Sequence, residues 1–166
     1  MSVIKVLTIP DPILNKKSKK IENIDEVVRK IASDMLQTMH FHKNCIGLAA
    51  PQIGQNLRMV VINLALYPKP HPNHGELVLI NPLLKVSEQK KIGREGCLSV
   101  PDLTANVLRS IRVEIEALNL DGNFIKFETE GFEAVVIQHE ADHLDGILFL
   151  DRVASLKTDV FRRKQY

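Results

Sequence analysis

Apolar residues at three- and four-residue spacing mark two helical stretches. Val28, Ile31, Met35, Leu36 and Met39 keep that spacing, and Asn23 with Glu26 three residues on reads as N-cap and capping partner. This pattern predicts an N-terminal amphipathic helix from Asn23 that stops near His40 to Asn44. A second series, Phe132, Val135, Val136, His139, Glu140 and His143, has the same period, opened by Gly131 and closed by Asp145-Gly146. It sets two imidazoles and a carboxylate on one inward stripe. Buried polar groups cost free energy unless they have partners, so this stripe asks for one.

Strand signals lie between the helices. Leu57 to Leu66 and Leu77 to Ile80 are almost continuously apolar, as expected of strands buried on both faces, and residues 83–92 read as another strand. Ile111, Val113, Ile115 and Ala117 alternate with Arg112, Glu114 and Glu116, and Asp121-Gly122 turns that half-buried strand into a hairpin with Phe124 to Thr129. The rest reads as irregular. Residues 1–22 form an extended opening with Pro10 and Pro12, and Lys16, Lys17, Lys19 and Lys20 read as a solvated face. Asn44 to Gly54 is a loop of small residues that another backbone or a ligand approaches closely. Tyr67 to Gly75 is a proline-rich loop whose His71 and His74 read as solvated, and His40 and His42 sit where the first helix dipole favours an imidazolium.

Composition narrows the class. The 166 residues suffice for one domain, 1–166, and 45% hydrophobic with 25% charged residues is the balance of a soluble globular chain. Lys and Arg number 22 against 20 Asp and Glu, so the net charge of +2 leaves no footprint for nucleic acid as the main ligand. Runs such as Met59-Val60-Val61-Ile62 fall far short of the roughly 20 apolar residues of a membrane span. The start, Met-Ser-Val-Ile-Lys-Val, lacks the apolar core of a signal peptide, which predicts a cytoplasmic location. Cys45 and Cys97 are too few for a disulfide framework and suit a reduced compartment.

Chemistry concentrates in Gln138-His139-Glu140-Ala141-Asp142-His143. Histidines four apart on a helix can hold one ion with the glutamate beside it. Cys97, in Glu95-Gly96-Cys97-Leu98-Ser99, alone reads as a small buried hydrophobe. With His139 and His143 it becomes a third ligand, leaving a position open for water, as metal-assisted hydrolysis requires.

These two segments and Gly47-Leu48-Ala49-Ala50-Pro51-Gln52 resemble, in order, the three motifs of the peptide deformylases. The likeness extends through Ile9-Pro10-Asp11, Asn81-Pro82 and Arg109 to Gly146-Ile147-Leu148-Phe149, covering residues 1 to about 152. It implies an α+β fold of antiparallel sheets around a central metal-binding helix. The implied reaction removes the formyl group from the initiator methionine of nascent polypeptides and releases formate. By position, Cys97, His139 and His143 would be ligands and Glu140 the acid/base. The Leu98 N–H and the Gln52 amide would stabilise the oxyanion, Gly47 would lie along the peptide, and Glu95 would pair with Arg109. The family's usual metal is Fe(II), with zinc, nickel or cobalt accommodated. Ile46, Phe132, Val135 and Val136 form the expected methionine pocket.

Two departures carry their own expectations. Cys45 stands where the first motif commonly has glycine, which predicts altered fit or sensitivity to oxidation. Only 23 residues follow His143, so ribosome docking through a long C-terminal helix is not expected, although Phe161-Arg162-Arg163-Lys164 could touch RNA. A monomer is expected. An endopeptidase with the same helix is one rival, but such enzymes usually draw their third ligand from downstream, where the best candidate here is upstream Cys97. A noncatalytic protein binding N-terminal peptides is another, and the full set of inferred catalytic residues argues against it.

Overall fold

The second strand of the larger sheet shows how the chain builds its core. In the computed structural model, which describes residues 2–164, β2 (Met59–Asn63) has Met59 and Val61 packed with one apolar cluster and Val60 and Ile62 with another. A strand apolar on both faces needs cover on both. Helix α1 (Glu26–Phe41) brings Val28, Met35 and Met39 to the first cluster, and helix α2 (Gly131–Leu144) brings Ala134, Val136, Ile137 and Leu144 to the second. Met1, Gln165 and Tyr166, at the ends of the expected 1–166 domain, lie outside the described residues.

All strand pairs within the two sheets are antiparallel. The larger sheet runs β1 (Gly47–Ala49), β2, β3 (Glu76–Val86), β6 (Arg112–Leu118), β7 (Phe124–Glu130). The smaller joins β4 (Lys90–Cys97), β5 (Val100–Ser110) and β8 (Val160–Arg162). Helix α2 touches β1, β2, β6 and β7 of one sheet and β5 of the other, so it sits between them. The fold is mixed α+β with antiparallel sheets and few helices, as the sequence implies.

Several expectations about elements need correction. The N-cap of α1 is Asp25, whose carboxylate accepts from Val28 N–H at 2.9 Å, and Asn23 precedes it. Residues 83–92 are not one strand: β3 continues to Val86 and β4 begins at Lys90. A register shift between Ile80 and Leu83 breaks the apolar pattern there, with Asn81 at φ 52° bonding both Ile21 N (2.9 Å) and Ile21 O (2.8 Å) through its side chain. Strand β5 has no strong sequence signal, because Pro101, Asp102 and Asn106 are poor strand residues; it is held by pairing on both sides with β4 and β8. Residues 44–54 contain a short strand, β1, and a 3-10 turn over Ala50–Ile53. Opening residues 12–15 form a 3-10 turn rather than extended chain.

Helix α2 also departs from a single inward stripe. Glu133, Gln138 and Asp142, on its expected outer side, are buried too. Each has partners: Glu133 takes Thr129 and His74, Gln138 bonds the Ser110 backbone, and Asp142 takes two arginines. The helix is enclosed on almost every side.

Candidate metal centre

Three potential ligands meet where α2 passes the end of β4. The His139 and His143 rings lie one helical turn apart with centroids at 5.1 Å, and Cys97 Sγ is 3.3 Å from His143 Nε2. The ligand atoms of Cys97, His139 and His143 all fall within 4.8 Å of one another. One ion with bonds of about 2.0–2.3 Å closes such a set with small side-chain rotations. Burial alone would raise the Cys97 pKa, but the charges and hydrogen bonds of His143 and His139 outweigh it and hold the thiol well below its ordinary value. A thiolate among imidazoles is the donor chemistry of a transition-metal site. Among the described residues, the buried Glu140 Oε2 on the same helix has no hydrogen-bond partner. Donor type and spacing both fit a divalent ion.

Glu140 lies on the same helix and is 5% exposed. Burial pushes its carboxyl up to about 7, against the opposing pull of His139 and His143. Strand β1 runs directly against it. A Cβ on Gly47 would fall 2.5 Å from Glu140 Oε1 and 2.8 Å from its Cγ, so only glycine lets carboxylate and strand come this close. Gln52 faces the same space. Its Oε1 accepts from Ala49 N–H at 2.8 Å, which turns Nε2 toward Cys97 Sγ (3.4 Å) and Ser99 Oγ (3.1 Å). The opening chain braces both loops, Leu7 N–H to Gln52 O at 2.7 Å and Ile9 N–H to Ser99 O at 2.9 Å.

Behind the donors runs a buried line of charge. His139 Nδ1 is 2.8 Å from Glu95 Oε2, and Arg109 donates to both Glu95 oxygens at 2.8 and 3.1 Å. Arg109 also donates to Asp142 Oδ2 at 2.5 Å, and Arg152 holds the same carboxylate at 2.7 and 3.1 Å. Burial opposes ionisation of Glu95, but the hydrogen bonds from His139 and Arg109 win and lower it to about 2. The Glu95–Arg109 pair expected from the sequence is present. Its extension to Asp142 and Arg152 was not legible: Asp142 lies inside the motif, three residues after His139, whereas Arg152 carries no signal.

A cavity of about 610 Å³ opens over these groups. Ile46, Gly47, Gln52, Glu95, Cys97, Leu98, Phe132, Val135, Val136, His139 and Glu140 all line it, whereas His143 and Arg109 stand behind the wall. Tyr67, Arg94, Thr104 and Arg163 line it as well, without any sequence cue. Tyr67 of the proline-rich loop lines this wall, while most of the loop, His74 included, is exposed as expected. The His71 ring meets Phe132 at a tilt with centroids 4.8 Å apart, Tyr67 meets Phe132 at 5.0 Å, and His74 binds the fully buried Glu133 through ring (2.7 Å) and backbone (2.8 Å). Cys45 lines the cavity too. Its buried thiol donates to Gly47 O at 3.2 Å, and burial first, then the Glu140 charge, raises its pKa to about 12. A neutral, mostly buried thiol is a weaker nucleophile than a thiolate.

A Cys-His-His donor set beside a buried glutamate, on a cavity of mixed polar and apolar lining, is the arrangement of a metal-dependent hydrolase. A family profile described as polypeptide deformylase matches residues 3–159. The chain is 44% identical to the peptide deformylase of Mesorhizobium japonicum over 99% of its own length and 92% of the relative's. Its fold matches a peptide deformylase from Legionella pneumophila with a TM-score of 0.84 and 38% identity, covering 93% of this chain and 88% of that one. A Met-Ala-Ser-bound class I type b peptide deformylase from Acinetobacter baumannii matches with a TM-score of 0.83 and 31% identity, over 91% and 98% of the two chains. This chain belongs to the peptide deformylase family. It is a hydrolase that removes the formyl group from N-formylmethionyl peptides, and neither rival reading is favoured.

Proposed function

We propose that Cys97, His139 and His143 hold the catalytic ion, and that this chain's own residues carry the reaction as follows. The ion, Fe(II) by family habit with zinc, nickel or cobalt suited to the same donors, supplies Lewis acidity and lowers the pKa of water to about 7. Glu140 takes a proton from the attacking water and returns it to the methionine nitrogen as formate departs. Gln52 Nε2 and the Leu98 N–H donate to the formyl oxygen as negative charge builds on it, each worth roughly 3–4 kcal/mol in comparable sites. Glu95 keeps the His139 ring turned toward the cavity, and Arg109 keeps Glu95 ionised. Gly47 runs beside the peptide backbone, and Ile46, Phe132, Val135 and Val136 surround the methionine side chain.

One observation carries this assignment: a buried carboxyl, one oxygen of which has no partner among the described residues and whose charged form burial disfavours, lies on the same helix as two of the three donors. A proton carrier at neutral pH has those properties. We further propose one catalytic domain over 1–166, acting as a cytoplasmic monomer on nascent chains. Exposed Arg162 and Lys164 would make transient ribosome contact. The test is formate release from formyl-Met-Ala-Ser by protein loaded anaerobically with Fe(II), beside the acetylated peptide and Glu140→Ala. Formate from wild type alone is expected; equal release by Glu140→Ala would remove Glu140 from its role.

A further inference from the structure

Three cations rim the cavity away from the reacting centre: Lys43, Arg94 and Arg163. Two of them are built in. Arg94 donates to Asn106 Oδ1 at 3.1 Å and to Thr104 Oγ1 at 3.3 Å, and its guanidinium lies 3.6 Å over the Phe161 ring. Arg163 follows β8, whose pairing with β5 carries it to the cavity, where Nη2 comes 3.4 Å from Cys97 O. A Cβ on Gly96 would sit 2.4 Å from that nitrogen, so the glycine leaves room for the guanidinium. Residues 94 and 96 share a face of β4, and Thr104, the partner of Gly96, pairs with Phe161, two residues before Arg163. Among the described residues neither arginine has a carboxylate partner; their bonds go to neutral groups and a ring. Arg109 and Arg152, by contrast, spend their charge on Glu95 and Asp142.

We propose that Arg94 and Arg163 form a carboxylate subsite for an acidic side chain at the second or third residue of the formylated substrate. Strand geometry sets the position. Arg94 lies three residues before Cys97 on β4, roughly 10 Å at about 3.3 Å per residue, the reach of an extended peptide's first three residues. The planar forks are already oriented by Asn106, Thr104, Phe161 and the Cys97 carbonyl, so little ordering remains when a carboxylate arrives. Lys43 adds positive potential from the loop before β1. A basic side chain at the same position meets like charge.

This inference rests on the deformylase reading, and the two fail separately. The experiment compares kcat/KM for formyl-Met-Ala-Xaa and formyl-Met-Xaa-Ser peptides with Xaa as Asp, Ser or Lys. Turnover of formyl-Met-Ala-Ser reports the parent activity. The expected Asp-to-Lys ratio at one of the two positions is about tenfold at low salt and shrinks as salt rises. Arg163→Gln and Arg94→Gln each bring the ratio below about threefold, and Arg163→Lys retains part of it. A purely structural role for either arginine would lower all peptides together and leave the ratio unmoved. A wild-type ratio within twofold of one at both positions overturns the proposal, as does a ratio that survives Arg94→Gln combined with Arg163→Gln. Should no peptide turn over, calorimetric binding of Met-Ala-Asp against Met-Ala-Lys reads the same ratio without catalysis.

Discussion

Glu95→Gln tests the buried charge line most directly. The Glu95 carboxylate is 7% exposed, takes two bonds from Arg109, and holds His139 Nδ1 at 2.8 Å. Its pKa is lowered to about 2 from an ordinary 4.5. A depressed folded-state pKa stabilises the fold above the unfolded value and loses that contribution as pH falls. The shift of about 2.5 units corresponds to roughly 3 kcal/mol at pH 7, and only about 1.4 kcal/mol of it remains at pH 3. Glutamine keeps the shape and removes the charge, leaving Arg109 with Asp142 alone. The metal-free variant should therefore unfold in denaturant with roughly 3 kcal/mol less stability at pH 7, a loss of about 6–12 °C in Tm. The gap to wild type should narrow by about half at pH 3. Loss of the His139 partner should also weaken metal binding by about 10–100-fold, read by competition with a chelator. Equal denaturation midpoints at pH 7, or a gap that does not shrink toward pH 3, would refute the electrostatic account of this network.

Three further outcomes follow from named contacts. Gly47→Ala puts a methyl 2.5 Å from Glu140 Oε1, so kcat for formylated peptide should fall by about 100-fold while far-UV circular dichroism stays native; unchanged kcat would mean that Glu140 has room to move. Metal-free protein treated with a thiol reagent at pH 7 should modify Cys97 before Cys45, since one thiol is held well below and the other raised to about 12; peptide mapping that finds Cys45 first would reverse this reading. Glu133→Ala strands the buried Thr129 hydroxyl, at about 1–3 kcal/mol, and releases His74 with the loop that carries Tyr67; lower Tm and raised KM are expected, and an unchanged KM would separate the loop from the cavity wall.

What the sequence made legible was local. Two histidines at i and i+4 specify their own proximity through helix geometry, so His139, Glu140 and His143 could be read together without any fold. Gly131 and Asp145-Gly146 bracket α2 where the turn chemistry said they would. What stayed hidden depends on pairing between distant segments. Strand β5, with Pro101 and Asp102 near its start, is a strand because β4 and β8 flank it, and no window of its own residues says so. The N-cap of α1 fell two residues late because Asn23, Asp25 and Glu26 offer competing capping side chains, and only the contact with Val28 N–H decides among them. Arg152 joins Asp142 across a turn whose path nothing nearby announces.

The same division explains why both departures of this chain resolve through tertiary contacts. Cys45 adds a side chain beside β1, but burial and the Glu140 charge keep it neutral, so its effect is steric filling of the wall and not a new reactive group. The segment after His143 is built into the fold. It supplies Phe149 to the cluster around Cys97, Arg152 to the charge line, β8 to the small sheet and Arg163 to the cavity rim. Residues 149–163 thus bind together the two walls that α2 separates. A truncation after Leu148 should therefore expose the donor set as well as the rim, and cost stability, metal affinity and any carboxylate preference at once. A truncation after Asp159 removes β8 and Arg163 while keeping Phe149 and Arg152, and should abolish the preference alone if the two tasks are as separable as their contacts.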